Sequence, residues 1–139
     1  MCSRVKEGDD AFKQLVHSWI LKERLVLRVG HILGAVGNRA LEDLFDEAYY
    51  VAQTQSAYAK ELASKKLTLA TKPGLSIVER VEEALKVATI PDFNKGRVAK
   101  RIMEDLAKKK LSDLPPTTVG NFKKVIAAAN ALIAGWRKA

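Results

Sequence analysis

Residues 115–137 read Pro-Pro-Thr-Thr-Val-Gly-Asn-Phe-Lys-Lys-Val-Ile-Ala-Ala-Ala-Asn-Ala-Leu-Ile-Ala-Gly-Trp-Arg. Two prolines end whatever precedes them and suit the first turn of a new helix. Val119, Phe122, Ile126, Ala129, Ile133 and Trp136 then recur at steps of three and four, the period of one buried helix face, with Lys123 and Lys124 on the opposite side. The same period returns towards the N-terminus, and strand-like alternation is nearly absent from the chain, so an all-α fold is expected.

Working back from Pro115, a helix is expected over 95–110, burying Val98, Ile102 and Leu106 and ending in Lys108-Lys109-Lys110, where cations suit the negative helix end. Ser76-Ile77-Val78-Glu79 is a capping box that opens another, with Ile77, Val81, Ala84, Leu85 and Ala88 inward and Pro91 as its stop. Residues 65–75 contain Pro73-Gly74 and read as the main break in the chain. Before it, a helix capped by Asn38 runs to about residue 64 with Leu41, Leu44, Phe45, Ala48, Ala52, Ala59 and Leu62 inward. A first helix is capped by Asp9 or Asp10. Its inward stripe is Phe12, Leu15, Val16, Trp19, Val26, Val29 and Leu33, and it dissolves into Gly30, Gly34 and Gly37. The expected architecture is a five-helix bundle in one domain: a long N-terminal helical hairpin (1–64) and a basic three-helix C-terminal lobe (76–139) sharing a core.

Charge is unevenly spread. Residues 1–50 hold 7 Lys/Arg against 8 Asp/Glu, residues 51–90 hold 6 against 4, and residues 91–139 hold 11 against 4, so the net +8 is concentrated in the last third. Such a module seeks polyanions, and an acidic first third beside a basic last third suits head-to-tail packing of subunits. On the C-terminal lobe the candidate phosphate contacts are Arg97, Lys100, Arg101, Lys108, Lys123 and Lys124. On the first helix they are Lys13, His17, Arg24, Arg28 and His31.

Other chemistry finds less support in the residues. The two histidines stand too far apart on one helix to share a metal, and no metal or cofactor is expected. The run Gly30-His31-Ile32-Leu33-Gly34-Ala35-Val36-Gly37 lacks both the Gly-Lys-Ser/Thr ending and the preceding strand of a phosphate loop, so it reads as a turn that permits close backbone approach. Glu42, Asp43, Asp46 and Glu47 form an acidic patch without the Glu-x-x-His pairs of a bundle metal site. Their expected role is to meet the cationic face of an adjacent lobe or subunit. A single cysteine, Cys2, forms no internal disulfide, and no apolar run is long enough to span a membrane. The first residues lead into Glu7-Gly8-Asp9-Asp10 instead of a signal-peptide core. An intracellular protein, or one within a nucleoprotein particle, is therefore expected.

A small, all-helical chain with a basic surface resembles the coat proteins of filamentous archaeal viruses. The resemblance spans the whole chain and rests on layout and charge, not on a motif. It implies helical subunits that wrap duplex DNA through basic helices and build a particle wall with a bundle. The chain is also similar in kind to the small helical subunits of CRISPR effector complexes, which line a nucleic-acid groove. The expected function is a non-enzymatic structural protein that coats or packages nucleic acid, with double-stranded DNA favoured, and associates with itself or a paralogous subunit. The alternatives are an effector-complex subunit or a helix-turn-helix regulator whose second helix presents Thr117, Thr118, Asn121 and Lys124.

Overall fold

In the structure, a computed structural model, residues 10, 13, 14, 17, 27–35, 37 and 39–137 are described, the side chain of Trp136 excepted. Arg24, the Asn38 cap and the Phe12, Leu15, Val16, Trp19 and Val26 positions of the expected first stripe lie outside the described residues. Among those described there is no strand. The helices are α1 (Val29–Leu33), α2 (Glu47–Ala57), α3 (Ala59–Leu62), α4 (Ile77–Val87), α5 (Lys95–Leu106) and α6 (Pro116–Arg137), with 3-10 turns at Leu41–Leu44 and Leu111–Asp113.

The central helices match the expected phases. The Ser76 hydroxyl accepts from the Glu79 N–H at 3.3 Å while the Ser76 N–H donates to Glu79 Oε2 at 2.7 Å, so both ends of the capping box are closed. Ile77, Val81 and Leu85 on α4 and Val98 and Ile102 on α5 are buried. Asn94 caps α5 by accepting from the Gly96 N–H at 2.9 Å.

The N-terminal half departs from expectation. Arg28 is extended, so α1 does not continue a helix through Leu27–Arg28. Gly34, at φ 62°, then ends α1 in a Schellman motif, with the Gly34 N–H on His31 O at 3.2 Å and the Ala35 N–H on Gly30 O at 3.0 Å. The second expected helix is divided. Leu41–Leu44 is a 3-10 turn, Phe45 and Asp46 are extended, α2 and α3 are separated at Tyr58, and Ala63 and Ser64 take positive φ. Asp43 accounts for the first division: its carboxylate accepts from the Ala40 N–H at 2.7 Å and the Ile77 N–H at 3.0 Å, tying the turn to the start of α4.

The inward face of α2 and α3 also differs from the alanine stripe. Ala48, Ala52 and Ala59 are exposed, whereas Tyr50, Thr54, Tyr58 and Leu62 are buried. A tyrosine ring removes far more apolar area from water than an alanine methyl, so the two rings set the phase.

One core joins the two sides of the 65–75 break: Tyr50, Tyr58, Leu62 and Leu67 pack with Ile77, Val81, Leu85, Val98 and Ile102. α2 lies on α5 and α1 on α6, while the Leu41–Leu44 turn touches both α4 and α6. Gly37, at φ 83°, stands against the Pro73-Gly74 turn so closely that a Cβ there would lie 2.3 Å from Gly74 Cα. The close approach expected of the glycine run is thus made between two backbones.

Candidate nucleic-acid interface

Cations on the surface have two fates. Arg97 at the start of α5 is held by its own fold: its guanidinium pairs with Glu61 through two contacts of 2.7 and 2.9 Å and lies 4.3 Å from the centre of the Tyr58 ring. The guanidinium in turn keeps the Glu61 carboxyl below the usual carboxylate range. Arg101 faces Glu104 at 3.5 Å on the same helix. Lys109 sits 2.9 Å from Asp105, which also accepts the Tyr49 hydroxyl at 2.7 Å. Burial first, then that hydrogen bond, raises the Tyr49 hydroxyl well above its ordinary pKa.

Lys100 on α5, Lys108 just past its end, and Lys123 and Lys124 on α6 are exposed and form no ion pair with any described residue. Packing explains their direction. Val98, Ile102 and Leu106 turn the other side of α5 to the core, and on α6 Thr118 is buried and Asn121, Phe122 and Val125 are half-buried on the side away from Lys123 and Lys124. Lys13, His17 and His31 are exposed, and Arg28 is half-buried with a partner of its own. Because α1 packs on α6, His31 belongs to the same helical pair as Lys123 and Lys124. Lys65 and Lys66 are also exposed without an ion pair among the described residues. The sequence reading passed over them because they fall in the break, although two adjacent lysines were a legible signal.

The carboxylates behave in the opposite way. Glu42 pairs with Lys95 at 3.2 Å, Glu47 with Arg80 at 2.9 Å, Glu83 with Lys72 at 2.7 Å and Glu82 with Lys86 at 3.7 Å. Asp43, Glu79 and Asp113 accept backbone N–H groups. Glu42, Asp43 and Glu47 of the acidic patch thus meet Lys95, the Ile77 N–H and Arg80 of the same chain. Between Glu42 and Asp113, Asp92 alone lacks a polar partner among the described residues. Between those two residues, Asp92 apart, the described charged side chains left with neither an ion pair nor a hydrogen bond are lysines.

The recognition-helix arrangement loses two of its four side chains. Thr118 is 1 % exposed and its hydroxyl accepts the Asp46 N–H at 2.8 Å, while the Asn121 amide donates to Leu44 O at 3.1 Å. These contacts, with the Phe45–Phe122 edge-to-face pair at 5.3 Å, dock the first turns of α6 on the chain instead of presenting them to a groove.

A polar cleft of about 410 Å³ lies beside the Gly37–Gly74 contact. Its cations are engaged: Arg39 donates to Leu75 O at 3.2 Å, and Arg80 donates to Ala70 O at 3.0 Å as well as to Glu47. Among the described residues no cluster of three or more His, Cys, Asp or Glu is placed to hold a metal, and no helix is long and apolar enough to cross a membrane. The site is that of an all-helical domain with a lysine-bearing surface. No family model, curated protein or solved structure matches the chain, so its role is argued from charge and geometry.

Proposed function

We propose that this protein coats or packages nucleic acid, with duplex DNA the favoured polymer, as a non-enzymatic subunit of a repeating assembly such as the capsid of a filamentous virus. One observation carries the reading: nearly every carboxylate from residue 42 to 113 is engaged within the chain, while Lys100, Lys108, Lys123 and Lys124 stand in solvent without one. A long flexible cation neutralises a phosphate oxygen by proximity and reads no base, which suits coating and not sequence recognition. In this reading Lys13, His17, Arg24, Arg28 and His31 extend the phosphate-facing surface along the N-terminal residues, and the five-helix arrangement operates within the particle wall. Subunits meet through the apolar side chains left outside the fold, among them Ile126 (59 % exposed) and Ile133 (43 % exposed) on α6.

Binding to long duplex DNA is expected to weaken linearly in log affinity against log salt and to depend little on sequence. Replacing Lys100, Lys108, Lys123 and Lys124 by serine is expected to make that slope shallower by roughly 0.9 per lysine. Filter binding across a salt series measures the slope, and negative-stain imaging of the mixture shows whether filaments of uniform width form. Tight binding to one short sequence that survives high salt overturns the reading. Discrete small particles of fixed stoichiometry favour the effector-complex subunit instead.

A further inference from the structure

Residues 67–72 carry neither helix nor turn, and burial alternates along them: Leu67 is inside, Thr68 outside, Leu69 half-buried, Ala70 outside. That period of two is strand-like. The Gln55 side chain enforces it at one end. Its amide donates to Lys65 O at 2.8 Å and its carbonyl accepts the Leu67 N–H at 2.7 Å, the two bonds that a neighbouring strand residue makes across a parallel ladder. On the opposite edge, the backbone N–H and C=O of the alternate residues Lys66 and Thr68 have no hydrogen-bond partner among the described residues. Such a row is a template for another strand.

The stretch also borders a groove of about 590 Å³ whose apolar surface is supplied by Leu67, Leu69, Ala84, Val87 and Ala88. Val87 ends α4 with 87 % of its surface in water. Of the cations around the groove, Lys72 is neutralised by Glu83 at 2.7 Å and Arg80 by Glu47 at 2.9 Å. Lys65 and Lys66 remain uncompensated among the described residues. The groove thus offers open backbone groups, an aliphatic floor and a surplus of positive charge on its rim.

We propose that this groove binds an extended segment of a partner protein by strand addition, aliphatic side chains at alternate positions seating against Val87 and Leu69 and flanking carboxylates meeting Lys65 and Lys66. Backbone pairing supplies the register, alternate side chains supply the pocket contacts, and charge selects the flanks. Lys100, Lys108, Lys123 and Lys124 do not line the groove, so a peptide assay tests it apart from nucleic-acid binding.

The test is a fluorescence-anisotropy titration of the full chain against fluorescein-labelled acetyl-Glu-Glu-Val-Thr-Val-Thr-Glu-Glu-amide, with the same core flanked by lysines as control. Saturable binding of the acidic probe below millimolar concentration, and markedly weaker binding of the control, is expected. Val87→Asp places a carboxylate on the floor at an exposed position and is expected to weaken binding at least about tenfold. The Lys65→Glu/Lys66→Glu double variant is expected to reverse the preference for flanks. Circular dichroism of each variant establishes that its helices are retained, and duplex-DNA retention by Val87→Asp is expected to equal that of the wild type. No saturable binding, equal binding of both probes, or indifference to Val87→Asp overturns the proposal. Sedimentation velocity of the protein alone provides the remaining arm: if Val87→Asp dissociates an oligomer, the occupant is a second copy of this chain and the assignment to a partner protein is wrong.

Discussion

Asp43 joins two elements through one carboxylate. Burial pushes its pKa above the ordinary carboxylate value, and the N–H groups of Ala40 and Ile77, in that order, pull it back. Asp43→Ala leaves both N–H groups without their acceptor and is expected to cost about 2 kcal/mol, read from the urea midpoint. Glu47 and Glu61 have the opposite sign. Their carboxyls are held below the ordinary value of 4.5 by the Arg80 and Arg97 guanidiniums. A depressed folded pKa contributes stability above the unfolded value that is lost as pH falls through the folded one, so acid is expected to weaken the protein below pH 4.5. Asp43, with its raised pKa, offsets part of that loss as it takes up its proton. Thermal unfolding between neutral and acid pH should show a smaller drop for Arg80→Gln than for the wild type, because removing the guanidinium returns Glu47 towards its ordinary pKa. Gly37 is constrained twice, by its φ of 83° and by the Gly74 backbone 2.3 Å from any Cβ. Gly37→Ala is expected to lower stability by about 2 kcal/mol or more, visible as a fall in Tm.

At the scale of elements, α4 was legible because capping, aliphatic period and charge agree along it, and α5 because of its aliphatic period, although α5 ends at Leu106, before the Lys108-Lys109-Lys110 expected to close it. Ser76 and Asn94 supply the caps, and Ile77, Val81, Leu85, Val98 and Ile102 supply the buried faces. α6 was legible as a helix but only in part in its rotation. Of the expected stripe, Val119, Phe122 and Ala129 are half-buried while Ile126 and Ile133 are exposed, and the inward face also takes in Thr118, Asn121, Val125 and Leu132. Two polar anchors decide this, Thr118 on the Asp46 N–H and Asn121 on Leu44 O, and neither counts in a hydrophobic pattern. Thr118→Val keeps the shape but strands the Asp46 N–H. A loss of about 1–2 kcal/mol is expected in urea unfolding, with faster hydrogen exchange along the first turns of α6. In α2 the same kind of misreading arose from counting alanines equally with tyrosines.

For the whole molecule, the surface that recommends a polyanion partner was visible in outline from the charge of residues 91–139, since charge imbalance survives any folding. Which cations are available was not. Arg97 and Lys100 are three residues apart on one helix, yet Arg97 is clamped by Glu61 and Tyr58 and Lys100 is open. The lysine groove beside residues 65–72 was equally hidden, because it exists only where that stretch lies against α4. By itself the sequence determined that the chain is helical, where α4, α5 and α6 begin, and that net positive charge gathers near the C-terminus. Those properties follow from local capping, period and composition. Tertiary structure alone decided the division of the 41–62 region, the rotation of α6, the union of residues 40, 43 and 77, and the cancellation of the acidic patch by Arg80 and Lys95. Each of these depends on a partner more than thirty residues away, or on a polar contact that hydrophobic periodicity does not register.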